Sequence, residues 1–234
     1  METKQVGACS SAIAAGIRAA APRLRKDATR NRERILAAAR RLFADEGADV
    51  PLDEIAKQAG VGNATLYRNF PDRTALVHQV TLSVLERGLE RAREALADPG
   101  DPFEAISRFA HGAADEQIGA LCSMLSEHPV LRDDEQLFAT RLEMERVVEE
   151  LMARARAAGV LRPDVGPGDL LVALARLTRP LPGSENCLGN EMFVRRHLQL
   201  FLDGLRSPAR SVLPGRAATL EDLRPTFPAD PLTR

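Results

Sequence analysis

Residues 59–76 read AGVGNATLYRNFPDRTAL and hold the single tyrosine of the chain, Tyr67; there is no tryptophan, and the other aromatics are eight phenylalanines. Gly60-Val61-Gly62 is a hinge, and NATLYRNF after it predicts a short helix in which Leu66 and Phe70, four apart, turn inward. With Gly62 as its N-cap, Val61 and Leu66 take the two positions of a hydrophobic staple. Pro71 and Asp72 end this helix and cap the next. That leaves Asn63, Ala64, Thr65, Tyr67, Arg68 and Asn69 for the outside. A core position calls for Phe or Leu, so a phenol beside Arg68 and Asn69 points to something outside the helix that its hydroxyl meets.

The segments on either side give the frame. Upstream, PLDEIAKQAGVG (51–62) predicts a helix of about two turns. Pro51 opens it, Asp53 and Glu54 complement the helix dipole in the first turn, and Gly60 ends it. Its buried face is Leu52, Ile55, Ala56 and Ala59. Before it, in TRNRERILAAARRLFADEG (29–47), Ile35, Leu36, Ala39, Leu42 and Phe43 form one apolar stripe at three–four spacing, closed by Gly47. Downstream, a long helix is expected from 73 to about 97. Further helical stretches follow at 103–128, 133–159, 169–178 and 191–205, separated by Pro- and Gly-containing breaks. In the stretch at 133–159, Leu137, Arg141, Met144, Val148, Leu151 and Ala155 continue a heptad-like seam. No segment reads as a strand, an internal repeat or a glycine-rich phosphate loop. The fold class expected is all-α.

Composition agrees. The 234 residues are 44% apolar and 28% charged, ordinary for a soluble globular protein long enough to bury a sizeable core. The net charge of −1 hides an asymmetry. Residues 23–78 carry eleven Lys and Arg against eight Asp and Glu; from residue 79 onward the balance is nineteen against twenty-four. A basic front on an acidic rear suits a nucleic-acid-binding head on a body with another task. Cys9, Cys122 and Cys187 are far apart and odd in number, so neither a disulfide framework nor a zinc site is indicated, and a reducing cytosol fits. No cofactor or metal is expected. The first residues lack the basic and apolar regions of a secretory leader, and no apolar run approaches the ~18 residues of a membrane span. A cytoplasmic protein with no membrane partner is expected.

Two short helices joined by a tight glycine-containing turn, after a basic helix, describe a helix-turn-helix. Its second helix would enter a DNA major groove, with its flanks on phosphates. Tyr67 and Thr65 offer neutral hydroxyl donors for phosphate oxygens, Asn63 suits adenine, and Arg68 suits guanine or a phosphate. Arg73, in the first turn of the following helix, suits the DNA backbone.

At these residues the chain resembles the tetracycline-repressor (TetR) family of bacterial one-component regulators. The resemblance runs over RILAAARRLFADEGADVPLDEIAKQAGVGNATLYRNFPDRTALVHQV, in the order and spacing of the family frame. The rest of the chain matches in helical layout and length. The resemblance implies a three-helix DNA-binding head, a larger α-helical body for ligand and dimerisation, and relief of DNA binding by a small molecule. Gly62 stands where the family often caps the recognition helix with Ser or Thr, and Pro51 where a Thr often precedes LDEIA. Asn69 replaces a common His and Arg73 a common Lys.

The expected organisation is a flexible arm (1–27, with a short helix possible), a helix-turn-helix domain (28–78), an effector-binding and dimerisation body (79–206) and a Pro-rich tail (207–234). One recognition helix gives too little contact for specificity, whereas two of them about 34–36 Å apart read a pseudo-palindromic operator, which requires a homodimer. Leu170, Leu171, Leu174, Phe193, Leu198 and Phe201, on the two most apolar late helices, are the candidate interface; each would serve equally as monomer core. Phe109, His111, Met124, Phe138, Leu142 and Met144 are candidates for lining the cavity of a small-molecule effector, against ordinary core packing. An enzyme is disfavoured because the four histidines lie apart with no catalytic motif around them. A non-specific architectural DNA binder would be strongly basic, and this chain is not. A DNA-binding regulator whose body recruits a protein instead of a ligand is the alternative.

Overall fold

The computed structural model describes residues 9–116, 131, 134–179, 190–219 and 222. Among them are eight helices and no strand, as the composition predicts. They are α1 (Cys9–Glu46), α2 (Leu52–Ala59), α3 (Asn63–Asn69), α4 (Arg73–Ala97), α5 (Pro102–Asp115), α6 (Glu135–Ala157), α7 (Pro167–Leu177) and α8 (Asn190–Leu205).

One expectation about the front changes. The arm at 1–27 is helical from Cys9 onward and continuous with the first head helix. Its run of alanines, AIAAGIRAAA, is rich in the strongest helix former, and α1 downstream supplies a ready nucleus to extend.

α4 is the axis of the molecule. The carboxylate of Asp72 accepts the amide of Ala75 at 2.8 Å and starts the helix. Leu76, Val77, Val80, Val84, Leu85, Leu89, Ala92 and Ala95 then bury an apolar stripe along its length. The N-terminal part packs on α1, and the remainder lies between α5 and α6. At the far end the Arg154 guanidinium donates to the Leu96 carbonyl at 2.7 Å, occupying an acceptor the helix leaves open. α5 and α6 are started the same way as α4. Asp101 accepts the amides of Phe103 and Glu104, and Asp134 accepts that of Leu137.

The core is continuous from head to body. Ile35, Ile55, Leu66 and Phe70 join Leu76 and Val80 in the same cluster that holds Phe103, Phe109, Leu151 and Met152. Each such Leu, Ile or Phe contributes roughly 1.5–3 kcal/mol over an exposed side chain. A head sharing one core with the body moves with it.

Candidate nucleic-acid interface

The turn between α2 and α3 is set by Gly60, whose backbone is left-handed at φ 62. This conformation lets the Val61 amide reach the Ala56 carbonyl at 3.0 Å and the Gly60 amide reach that of Lys57 at 3.0 Å. The paired bonds end α2 sharply and turn the chain into α3. Gly62 caps α3 with extended backbone and no side-chain bond. Leu66 and Phe70 are buried, as their spacing predicts, and Val61 packs at the edge of the core. Leu66 pins α3 down by its inner face, and everything opposite is left to solvent.

That outer face carries the predicted residues. Asn63, Ala64, Tyr67 and Arg68 are exposed, while Thr65 and Asn69 are half-buried at its flanks. Tyr67 is 48% exposed, so its phenol does no core duty. Several of these side chains are already engaged. The Asn63 amide donates to the Asp53 carboxylate of α2 at 3.0 Å, Arg68 Nε to the Ala64 carbonyl at 3.0 Å, and Asn69 to the Thr65 carbonyl at 2.8 Å. Arg73 turns inward. Its guanidinium donates to the carbonyls of Ala48 and Val50 at 2.5 and 2.7 Å, tying the loop before α2 to the start of α4.

Three arginines of α1 hold the head together or tie it to the body, a role the sequence reading did not assign them. Arg32 lies 4.9 Å over the Phe70 ring and donates to Gln79 at 2.5 Å. Arg34 donates to the Gly60 carbonyl at 3.1 Å. Arg40 meets Glu116, at the end of α5, at 3.0 Å, and burial lowers its pKa, with the nearby Arg87 charge lowering it further. Glu116 also takes Arg87 at 3.2 Å and Arg91 at 3.7 Å, both from α4. A second polar link runs from Gln79 to His78 and on to Asp134, the cap of α6, at 2.9 Å. In the sequence, Arg32 and Arg34 show as part of the basic run RNRER at 30–34, and Arg40 lies outside it.

The body places its expected residues unevenly. Phe109 and Met144 are buried, and His111 is half-buried against Gln199 at 3.2 Å. Phe138 and Leu142, expected to line a cavity, are exposed on α6, because the inward face of that helix is taken by Leu137, Met144, Val148, Leu151 and Ala155. Met124 lies outside the described residues. An open depression of about 360 Å³ is lined by Pro163, Asp164, Ala209, Arg210, Ser211 and Val212, and none of the expected cavity residues borders it. Leu170, Leu174 and Leu198, expected at an interface, are fully buried inside the single chain, since α7 is packed by α5, α6 and α8. Leu171 and Phe201 are half-buried, and Phe193 is exposed. The open apolar surface of these two helices is instead Val172, Met192, Phe193 and Leu200. No cluster of His, Cys, Asp and Glu among the described residues suits a metal ion, and none of their helices is long and apolar enough to cross a membrane.

Comparison with known proteins agrees with this geometry. Residues 35–80 match the family described as bacterial regulatory proteins, tetR family, and residues 101–207 match the C-terminal domain described as transcriptional regulator SbtR-like. A TetR transcription regulatory protein of Mycobacterium vanbaalenii superposes with TM-score 0.54 at 33% identity, over 78% of this chain and 99% of that one. A TetR transcriptional regulator of Streptomyces coelicolor does so with TM-score 0.57 at 33% identity, over 76% and 99%. The TetR-like regulator LfrR of Mycobacterium smegmatis, solved in complex with proflavine, shares the fold at TM-score 0.58 and 21% identity, over 79% and 98%. Over 84 residues the chain is 45% identical to an HTH-type transcriptional regulator of Staphylococcus aureus (strain USA300), which is 36% of this chain and 45% of that relative, less than half its length. A helix-turn-helix built on Gly60, an outward polar face on α3 and an all-helical body, matched at both ends, place this chain in the TetR family of DNA-binding transcriptional regulators.

Proposed function

We propose that the protein is a homodimeric repressor that binds a pseudo-palindromic operator and leaves it when a small molecule enters the helical body. The observation that carries the reading is the outer face of α3, polar apart from Ala64, with a half-exposed phenol at its centre. Tyr67 and Thr65 donate hydroxyls to phosphate, and Asn63 and Arg68 reach base edges. The clamp of Arg73 on the Ala48 and Val50 carbonyls gives it a positioning role, and its remaining N–H groups are proposed for the DNA backbone.

Dimerisation is proposed through α7 and α8. Val172, Met192, Phe193 and Leu200 form the apolar centre, and Leu171 and Phe201 its edge. Exposed apolar side chains clustered on two adjoining helices suit a self-complementary two-fold contact. The effector is proposed to sit between α5, α6 and α8, near Phe109, His111 and Met144, where it would displace α4 and with it the head. LfrR, a regulator that shares this fold, was solved in complex with proflavine, which supports a small organic molecule as the class of effector.

The test is a footprint of the purified protein on DNA flanking its own gene, repeated across a salt series. The expected result is one protected pseudo-palindrome with half-site centres about 34–36 Å apart, weakening steeply with salt. A folded dimer that protects nothing at low salt overturns the operator reading. Protection that no compound in a small-molecule panel relieves counts against the effector.

A further inference from the structure

The family match ends at residue 207, yet the chain beyond it is built into the fold. Its anchor is Arg162, a buried arginine in the turn between α6 and α7. The guanidinium takes Asp164 through two bonds at 2.6 and 2.9 Å, the Gly204 carbonyl at 3.2 Å and the Ser211 carbonyl at 2.7 Å. One side chain thereby joins the turn, the end of α8 and the tail. The Ser207 amide donates to the Val160 carbonyl at 3.0 Å and fixes where the tail departs.

Seven residues past Ser211 the tail docks again, on the first turn of α7. The Gly168 amide donates to the Ala218 carbonyl at 3.0 Å, and the Ala218 amide donates to the Asp169 carboxylate at 3.2 Å. The same carboxylate accepts the Gly166 amide at 2.8 Å, so it fastens the tail and the start of α7 together. The two glycines make the seat. A Cβ at Gly168 would lie 2.6 Å from the carbonyl oxygens of Ala218 and Thr219, and one at Gly166 would collide with the Ala218 oxygen. These obstacles are backbone, which cannot swing aside. Past the seat, Asp222 closes a staple by accepting both Thr219 donors and two bonds from Arg216.

We propose that residues 207–219 are a strap that holds the first turn of α7 in place, and that stable dimerisation depends on it. The inference rests on the dimer reading above. α7 carries Val172 on its open face, and its buried residues are Leu170 and Leu174 together with Pro167 and Gly168 of the turn the strap covers. So short a helix takes its orientation from its fastened end.

The test uses two helical glycines with opposite surroundings in the full-length protein. Gly168 is seated against the strap, whereas Gly204, in the last turn of α8, has open space where a Cβ would go. Alanine is the better helix former at both positions. Gly204→Ala keeps the carbonyl that Arg162 holds, so it should raise the melting temperature and leave the strap in place. Gly168→Ala should unseat the strap, with helix content by circular dichroism unchanged, amide exchange at Ala218 faster by about tenfold or more, and the dimer dissociation constant from sedimentation raised by about tenfold. Asp222→Asn, which loosens the staple without touching α7, should move exchange and dimerisation in the same direction. An unprotected Ala218 amide in the unmodified protein, or a Gly168→Ala variant that behaves like Gly204→Ala, overturns the strap. A released strap with an unchanged dimer constant overturns its link to assembly. If the unmodified protein sediments as a monomer, the dimer reading fails, and exchange at Ala218 still judges the strap.

Discussion

Replacing Glu116 by Gln removes the one negative charge that three guanidiniums share between head and body. Its oxygens stand 3.0 Å from Arg40, 3.2 Å from Arg87 and 3.7 Å from Arg91. Unit charges at 3 Å attract by about 5–6 kcal/mol at an effective dielectric of about 20, but desolvating both groups offsets most of that. The contacts differ in burial. Arg40 and Glu116 are 18% and 13% exposed, so their bond is a partly buried, charge-assisted one of about 1.5–3 kcal/mol. Arg87 and Arg91 are about half exposed and add roughly 0–1 kcal/mol each. Gln keeps a hydrogen-bond acceptor for Arg40 yet leaves it facing Arg87 with no charge between them, Arg91 keeping Glu94, so a destabilisation of about 2–3 kcal/mol is expected. A double-mutant cycle with Arg40→Met isolates the pair, read from urea midpoints at one fixed protein concentration. The expected coupling is about 1–2 kcal/mol, and operator affinity should fall in both single variants, because α1 holds the head in register with the body. A coupling below about 0.3 kcal/mol would show that the two helices are held by apolar packing alone, and would sink the argument that charge joins head to body.

Other expectations are as direct. The Thr81 hydroxyl on α4 is buried with no hydrogen-bond partner among the described residues, so Thr81→Val should stabilise the protein by about 1–2 kcal/mol. That is a rise of about 3–6 °C in melting temperature, and a fall would mean the hydroxyl is paired. Arg68→Ala should relax base choice at one operator position at a loss of about 1–3 kcal/mol, whereas Tyr67→Phe should weaken every sequence alike. Base preferences altered by Tyr67→Phe would remove the phosphate role. The amide of Leu137, and then His78, lower the pKa of Asp134 below its ordinary value. A depressed folded-state pKa gives stability that is complete above the unfolded value of about 3.9 and lost as pH falls through the folded one. The stability gap between the unmodified protein and Asp134→Ala, measured by urea unfolding, should therefore narrow on acidification below about pH 4; a gap constant to pH 2 refutes it.

The head was legible because its signals are local. Gly60 ends α2, Gly62 starts α3, and Leu66 and Phe70 choose the inner face, each within a few residues of its consequence. The body was legible as helices but not as faces. Leu170, Leu174 and Leu198 are as apolar as any interface residue, and only the packing of α5, α6 and α8 around them makes them core. Phe138 and Leu142 differ from Leu137 in angle around α6, which the heptad seam marked but composition did not. Arg73 and Arg162 are the harder cases. Beside the local Arg162–Asp164 pair, they bond backbone carbonyls at sequence separations of 23 to 49 residues, and no local pattern announces a carbonyl as a target. The strap was hidden for the same reason. A proline-rich tail reads as irregular, and its docking depends on two glycines that look like a simple turn.

Arg68 and Asn69 rest on carbonyls of their own helix, and this bears on how the protein finds its site. On DNA of the wrong sequence these side chains have no reason to leave a satisfied bond worth about 0.5–1.5 kcal/mol net. On the proposed function the head would then travel on phosphate contacts, indifferent to base. Where a guanine edge outbids the Ala64 carbonyl, the Arg68 side chain would swing out and the glide would become a stop. On the proposed function, scanning and arrest would be two postures of the Arg68 side chain.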